Sequence, residues 1–112
     1  RRTVALFAPG IEASPGGHSS LLAAAGLLES PPAQVLLQGD PALCATWQRA
    51  LEARYRPGVQ VLNLGNDGDL PAGLAKGPPV ASGAVAWVCR RMTCLPPLRA
   101  LDAIESALAS TP

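Results

Sequence analysis

The chain is poor in most of the features that would announce a function. Of its 112 residues only 4% are aromatic and 15% charged; there is one His (His18), one Met (Met92) and three Cys. Nine basic residues against eight acidic ones leave a net charge of +1, so no broad field draws the chain to nucleic acid or to an anionic membrane surface. No apolar run approaches the roughly 18 residues that a membrane span needs, and no stretch resembles a signal peptide. Three cysteines are too few and too odd in number for a disulfide scaffold. They point to a reducing, cytoplasmic setting. Gly-x-Gly-x-x-Gly after a strand, a Walker lysine loop and a Gly-x-Ser-x-Gly elbow are all missing, and Asp67-Gly68-Asp69 is too short for a calcium loop. No cofactor or metal is expected, because two nearby cysteines make only half of a tetrahedral zinc site and His18 stands alone in a Gly-rich loop.

What is present is apolar residue in quantity, 48%, with 11 Gly and 12 Pro to punctuate it. That composition excludes a disordered tail and fits one globular α/β domain. Eight Arg against one Lys, together with 20 Ala, suggest GC-rich coding of a bacterial kind. The chain opens on Arg1-Arg2, which reads as a piece of a longer protein.

The apolar pattern divides the chain at Pro31-Pro32. Before it, residues 1–32 read as a helical segment: Thr3 to Ala8 as the end of a helix, with a strand as the alternative, a loop over 9–17, and a helix carrying Leu21, Leu22, Ala25 and Leu28 on one face. After it, residues 33–112 alternate strand and helix. Val35-Leu36-Leu37 is a buried strand, and Asp40-Pro41 is an N-cap followed by proline at the first helical position. Leu43, Cys44, Trp47, Ala50, Leu51 and Tyr55 make the stripe of the helix that follows. Val59 to Leu64 is a second strand, Leu70 to Lys76 a short helix, and Ala84 to Val88 a third strand. Pro96-Pro97 introduces a last helix with Leu98, Leu101, Ile104 and Leu108 on one face. This βαβαβα order predicts a three-stranded, mostly parallel sheet with flanking helices and strand order 2-1-3, Gln60 and Asn63 marking the second strand as an edge.

A parallel sheet gathers ligands beyond the carboxyl ends of its strands. On that expectation Asp40, Asn66, Asp67 and Asp69 share one edge with Cys89, Arg90 and Arg91, forming a candidate anion or small-ligand site. The competing explanation is local: Asp40 is already a helix cap, and Asn-Asp-Gly runs are ordinary turn residues. Cys89 and Cys94 are the candidate reactive thiols. Their spacing reaches disulfide range only if the chain reverses between them, and neighbouring arginines favour a thiolate; otherwise they are packing residues.

The segment Ala86-Trp87-Val88-Cys89-Arg90-Arg91-Met92-Thr93-Cys94-Leu95-Pro96-Pro97 resembles the terminal motif of the large thioredoxin-domain-containing proteins of the YyaL type, which include an animal spermatogenesis-associated relative. Val35 to Pro41, Tyr55-Arg56-Pro57 and Val59 to Leu64 are similar to the stretch that precedes that motif, and Leu21 to Leu28 to the final helix of the barrel before it. The resemblance implies an N-terminal thioredoxin-like domain and an (α/α)6 barrel, with residues 1–32 a barrel remnant and residues 33–112 the C-terminal α/β domain. Its partners would then be its own chain's barrel and thioredoxin-like domain, with no nucleic acid or membrane, and the isolated piece a monomer. The leading expectation is a noncatalytic structural or interaction domain. The alternatives are a thiol-redox module using Cys89 and Cys94 and the ligand site at the strand ends. No catalytic residue carries over, and any enzymatic activity would belong to the full-length protein.

Overall fold

A computed structural model describes residues 1–66, 70–74 and 76–110. Its elements run α1 (Arg2–Leu6), α2 (Ala8–Ala13), a 3-10 turn (Gly16–His18), α3 (Ser19–Glu29), β1 (Ala33–Gly39), α4 (Pro41–Glu52), β2 (Val59–Asn63), β3 (Ala84–Arg90), β4 (Thr93–Cys94) and α5 (Leu101–Ala109). They fall into two compact units, Arg1–Pro32 and Ala33–Pro112.

The first unit is helical, as its composition implies, but Pro9-Gly10 lies inside α2 rather than in a loop. Proline is tolerated there because the first turn of a helix has N–H groups without intrahelical partners anyway. His18 Nδ1 lies 2.9 Å from the Ser14 carbonyl, and its ring packs over Gly10.

The second unit is a four-stranded mixed sheet in the order β2-β1-β3-β4. The predicted order 2-1-3 survives within it, and β2 is an edge. The predicted mostly parallel, three-stranded sheet does not survive. Only β1 and β2 are parallel; β3 runs antiparallel to β1, with Val35 opposite Val88 and Leu37 opposite Ala86, and β4 runs antiparallel to β3. The cause lies in the connection from β2 to β3. A parallel third strand needs a crossover, usually a helix, that returns the chain to the starting end. Among the described residues of this connection there is no helix. Part of the stretch expected to be helical, Leu70 to Lys76, is instead a turn in which Leu74 N–H reaches the Pro71 carbonyl. The chain therefore turns back at the end where β2 finishes. Asn66 closes the mouth of this excursion: its side chain donates to the Val80 carbonyl at 2.9 Å and accepts from the Val80 N–H at 2.7 Å.

Alternation sorts the strands into two faces. Val35, Leu37, Ala84, Ala86 and Val88 point to α4 and α5 and pack with Cys44, Trp47, Leu51 and Ile104. The other face, with Leu36, Gln38, Val85 and Cys89, is also withdrawn from solvent. An interior strand covered on both sides, as β1 is, reads as a continuous apolar run. Two contacts set the geometry around the end of β1. Gly39 has φ 131°, and a Cβ on it would stand 2.3 Å from the Gly83 carbonyl oxygen, so only glycine fits where β1 meets the start of β3. Next to it Asp40 caps α4, its carboxylate accepting from Leu43 N–H at 2.9 Å. Arg56, just beyond α4, pairs with Glu105 of α5 and ties the two helices together.

The last helix starts at Leu101, later than the sequence suggests. Pro96-Pro97 instead belong to an extended stretch alongside β3, where Leu98 and Ala86 exchange two backbone hydrogen bonds of 2.8 Å. Proline has no N–H for a ladder, and an outer strand is where a sheet tolerates it.

Candidate functional site

Antiparallel β3 separates the residues that a parallel sheet would have gathered. Asp40 and Asn66 lie at the end of the sheet where β1 and β2 finish. Arg90, at the end of β3, lies at the opposite end, beside the start of β1, since Cys89 pairs with Gln34. Arg91 follows it in the turn beyond. Asp67 and Asp69 lie outside the described residues. Asp40 is used as a cap and Asn66 as a clamp on Val80, so each already has a local structural role. The open cavity of ≈ 490 Å³ beside them is lined by Asp40, Pro41, Leu43, Asn66 and the loop residues Val80 to Gly83, with no basic side chain to attract an anion.

What the structure does bring together is Cys89 and Cys94. They are joined as a disulfide with the two Cα atoms 3.9 Å apart. The arrangement follows from the hairpin. Arg90 pairs with Thr93 across a two-residue reversal, Arg91-Met92, and Cys89 pairs with Cys94 one step back. Leu95 N–H donates to the Val88 carbonyl at 2.9 Å one step further on. Cys89 and Cys94 thus occupy a non-hydrogen-bonded pair, the kind in which opposite side chains stand closest in an antiparallel ladder.

The two sulfur-bearing residues differ in setting. Cys89 is 5% exposed, in the interior strand β3, whereas Cys94 is half-buried on the outer strand β4. At the tip, Met92 is 98% exposed. Arg91 takes φ 56°, a left-handed conformation that favours glycine and costs an ordinary residue about 1–2 kcal/mol. Arg90 anchors the base, its guanidinium reaching the Ala107 carbonyl of α5 at 3.5 Å. From Cys89 to Ala100 the chain carries Arg90, Arg91 and Arg99 and no carboxylate.

Cys44 takes no part. It is fully buried on the core face of α4, and burial, with a smaller contribution from Asp40, pushes its thiol above the ordinary 9.0. Among the described residues no group of three or more His, Cys, Asp or Glu side chains is placed to hold a metal ion. Among the same residues no helix is long and apolar enough to cross a membrane.

Trp87, on the apolar strand Ala84 to Val88, is half-buried and lines a second open cavity, of ≈ 420 Å³, with Pro78, Pro79, Pro97, Lys76 and Arg99. The alternation of β3 puts Trp87 on the face away from α4 and α5.

No protein-family model, no curated protein and no solved structure matches the chain.

Proposed function

We propose that the chain is a noncatalytic C-terminal module of a longer, cytoplasmic protein with thioredoxin-like and helical-barrel domains. In this reading Ala33–Pro112 is the self-supporting body, and Arg1–Pro32 packs against barrel helices of the same chain. One observation carries it: none of the helical segments of Arg1–Pro32 contains a buried residue. Leu6 is 75% exposed and Leu27 56%, with Phe7, Leu22 and Leu28 also open to solvent. Apolar side chains displayed in this number mark a surface that something else covers. The weak amphipathicity of α3, Leu-Leu-Ala-Ala-Ala-Gly-Leu-Leu, suits a helix packed on more than one side.

The resemblance of the Ala86 to Pro97 segment to YyaL-type proteins supplies the kind of partner, since their barrel helices would directly precede this module. Binding of an apolar fluorescent dye to the 112-residue chain tests the reading. Bright dye emission is expected, falling at least about twofold in a Leu6→Ser, Leu22→Ser, Leu27→Ser variant whose urea midpoint is unchanged. A wild-type chain that binds no dye would refute it.

A further inference from the structure

Going beyond a structural role and independent of it, we propose that the Cys89–Cys94 hairpin is a thiol–disulfide exchange site that accepts electrons from a dithiol, with Cys94 as the sulfur attacked and Cys89 as the sulfur that leaves.

Three observations converge on this. The disulfide encloses only four residues, and the hairpin is closed without it by the Leu95–Val88 hydrogen bond and the paired bonds of Leu98 and Ala86. A cross-link that closes so short a loop restricts the unfolded chain least among disulfides, so stability is a weak reason for its presence. The same backbone bonds hold β3 and β4 together after reduction, leaving the two thiols facing each other and ready to reoxidise. Exposure then orders the chemistry. Exchange requires a thiolate to approach one sulfur along the S–S axis, and Cys94, on the outer strand beside the exposed tip, offers that approach while Cys89 is enclosed. The charged residues within two positions of either cysteine are Arg90 and Arg91, and positive charge favours both an incoming and a departing thiolate.

In the first step the donor thiolate attacks Sγ of Cys94. A donor–Cys94 disulfide forms, the Cys89–Cys94 bond breaks, and its electron pair leaves on Sγ of Cys89, which takes up a proton. In the second step the donor's other thiolate attacks the donor's own bonded sulfur. The donor disulfide forms, and Cys94 departs as a thiolate and is protonated. Two electrons and two protons reach the chain, and one dithiol is oxidised. A monothiol stalls after the first step, because Cys89, fixed opposite Cys94, re-attacks the mixed disulfide at high effective concentration and expels the monothiol. The pairing geometry therefore selects dithiols.

The test uses the oxidised 112-residue chain under native conditions. Dithiothreitol and glutathione are compared at equal thiol concentration, with acid quenching, alkylation and intact mass as the readout. Reduction by dithiothreitol is expected to be at least about tenfold faster than by glutathione, and quenched glutathione adducts to map by peptide mass to Cys94. Cys89→Ser and Cys94→Ser variants give the second readout, each reacted with oxidised glutathione. The lone Cys94 is expected to react at least about tenfold faster than the lone Cys89. A disulfide that dithiothreitol opens only when the chain is unfolded overturns the proposal and makes the bond structural. Adducts that map mainly to Cys89, or equal rates with the two reductants, overturn it as well.

Discussion

Arg1–Pro32 and Ala33–Pro112 are both rich in apolar residues, yet one has a core and the other has none. In the second unit, β1 lies between two strands and under two helices, and Val35, Leu36, Leu37, Cys44 and Ile104 are fully withdrawn from water. In the first, three helices and a 3-10 turn pack together without burying a single described side chain. The difference is one of geometry. A sheet with helices on one face encloses a volume, whereas short helices over 32 residues are mostly surface, and chains below about 40 residues seldom stabilise themselves. Apolar content alone thus says little about stability; what matters is whether the topology closes around it.

Matched substitutions in the two units put this to the test, and the glycines give the widest contrast. Gly39→Ala drives a methyl into the Gly83 carbonyl at a left-handed φ and is expected to cost about 4 kcal/mol or more. Gly26→Ala, in α3 with nothing near its Cβ position, is expected to cost nothing and to raise helix content, alanine being the better helix former. Urea titration with circular dichroism reads both. Leucines come next: Leu37→Ala is expected to lose about 3 kcal/mol, and Leu27→Ala less than about 0.5 kcal/mol, by the same titration. Equal losses at the two leucines would erase the distinction between the units.

Two smaller effects sharpen the picture inside the second unit. Asp40→Ala removes the side-chain cap of α4 and is expected to cost about 1 kcal/mol, while Asp40→Asn, which still accepts from Leu43 N–H, keeps most of it. Cys44 supplies the smallest effect, visible only in alkali. Its folded thiol is held above the ordinary 9.0, so the native state keeps a proton that the unfolded state releases as pH rises past that value. Its contribution is fully present below about pH 8 and is lost as pH climbs through 9 towards the folded value. The alkaline fall in stability is expected to be shallower in Cys44→Ala, measured by urea midpoints between about pH 7 and 10.

The sequence made local features legible and left the long-range ones hidden. Asp40-Pro41 marks the start of α4 because capping depends on three or four neighbouring residues, and the division at Pro31-Pro32 is equally local. Gln60 and Asn63 correctly marked an edge, because a half-polar strand cannot be covered on both faces. The direction of β3 was not legible. An apolar run such as Ala84 to Val88 suits a buried strand of either sense, and the sense is decided by a β2–β3 connection whose helical pattern proved too weak to form a crossover. That one reversal moved Arg90 and Arg91 away from Asp40 and Asn66 and dissolved the expected ligand edge. The hairpin escaped notice because Arg91-Met92 is not the Asn-Gly or Gly-containing pair that usually signals a two-residue reversal. The cysteines on either side of it still carried the information, since their spacing permitted a bond on one condition, and the hairpin meets it.

Hydrogen exchange resolved along the chain is the most direct test of the claim that Ala33–Pro112 supports itself and Arg1–Pro32 does not. Amides of Val35 to Gln38, of Cys44 to Leu51 and of Val85 to Val88 are expected to exchange only through global unfolding, with protection matching the stability from urea titration. Those of Leu21 to Leu28 are expected to exchange through local opening, orders of magnitude faster. Protection in α3 equal to that in β1 would contradict the account and make the two units one cooperative structure.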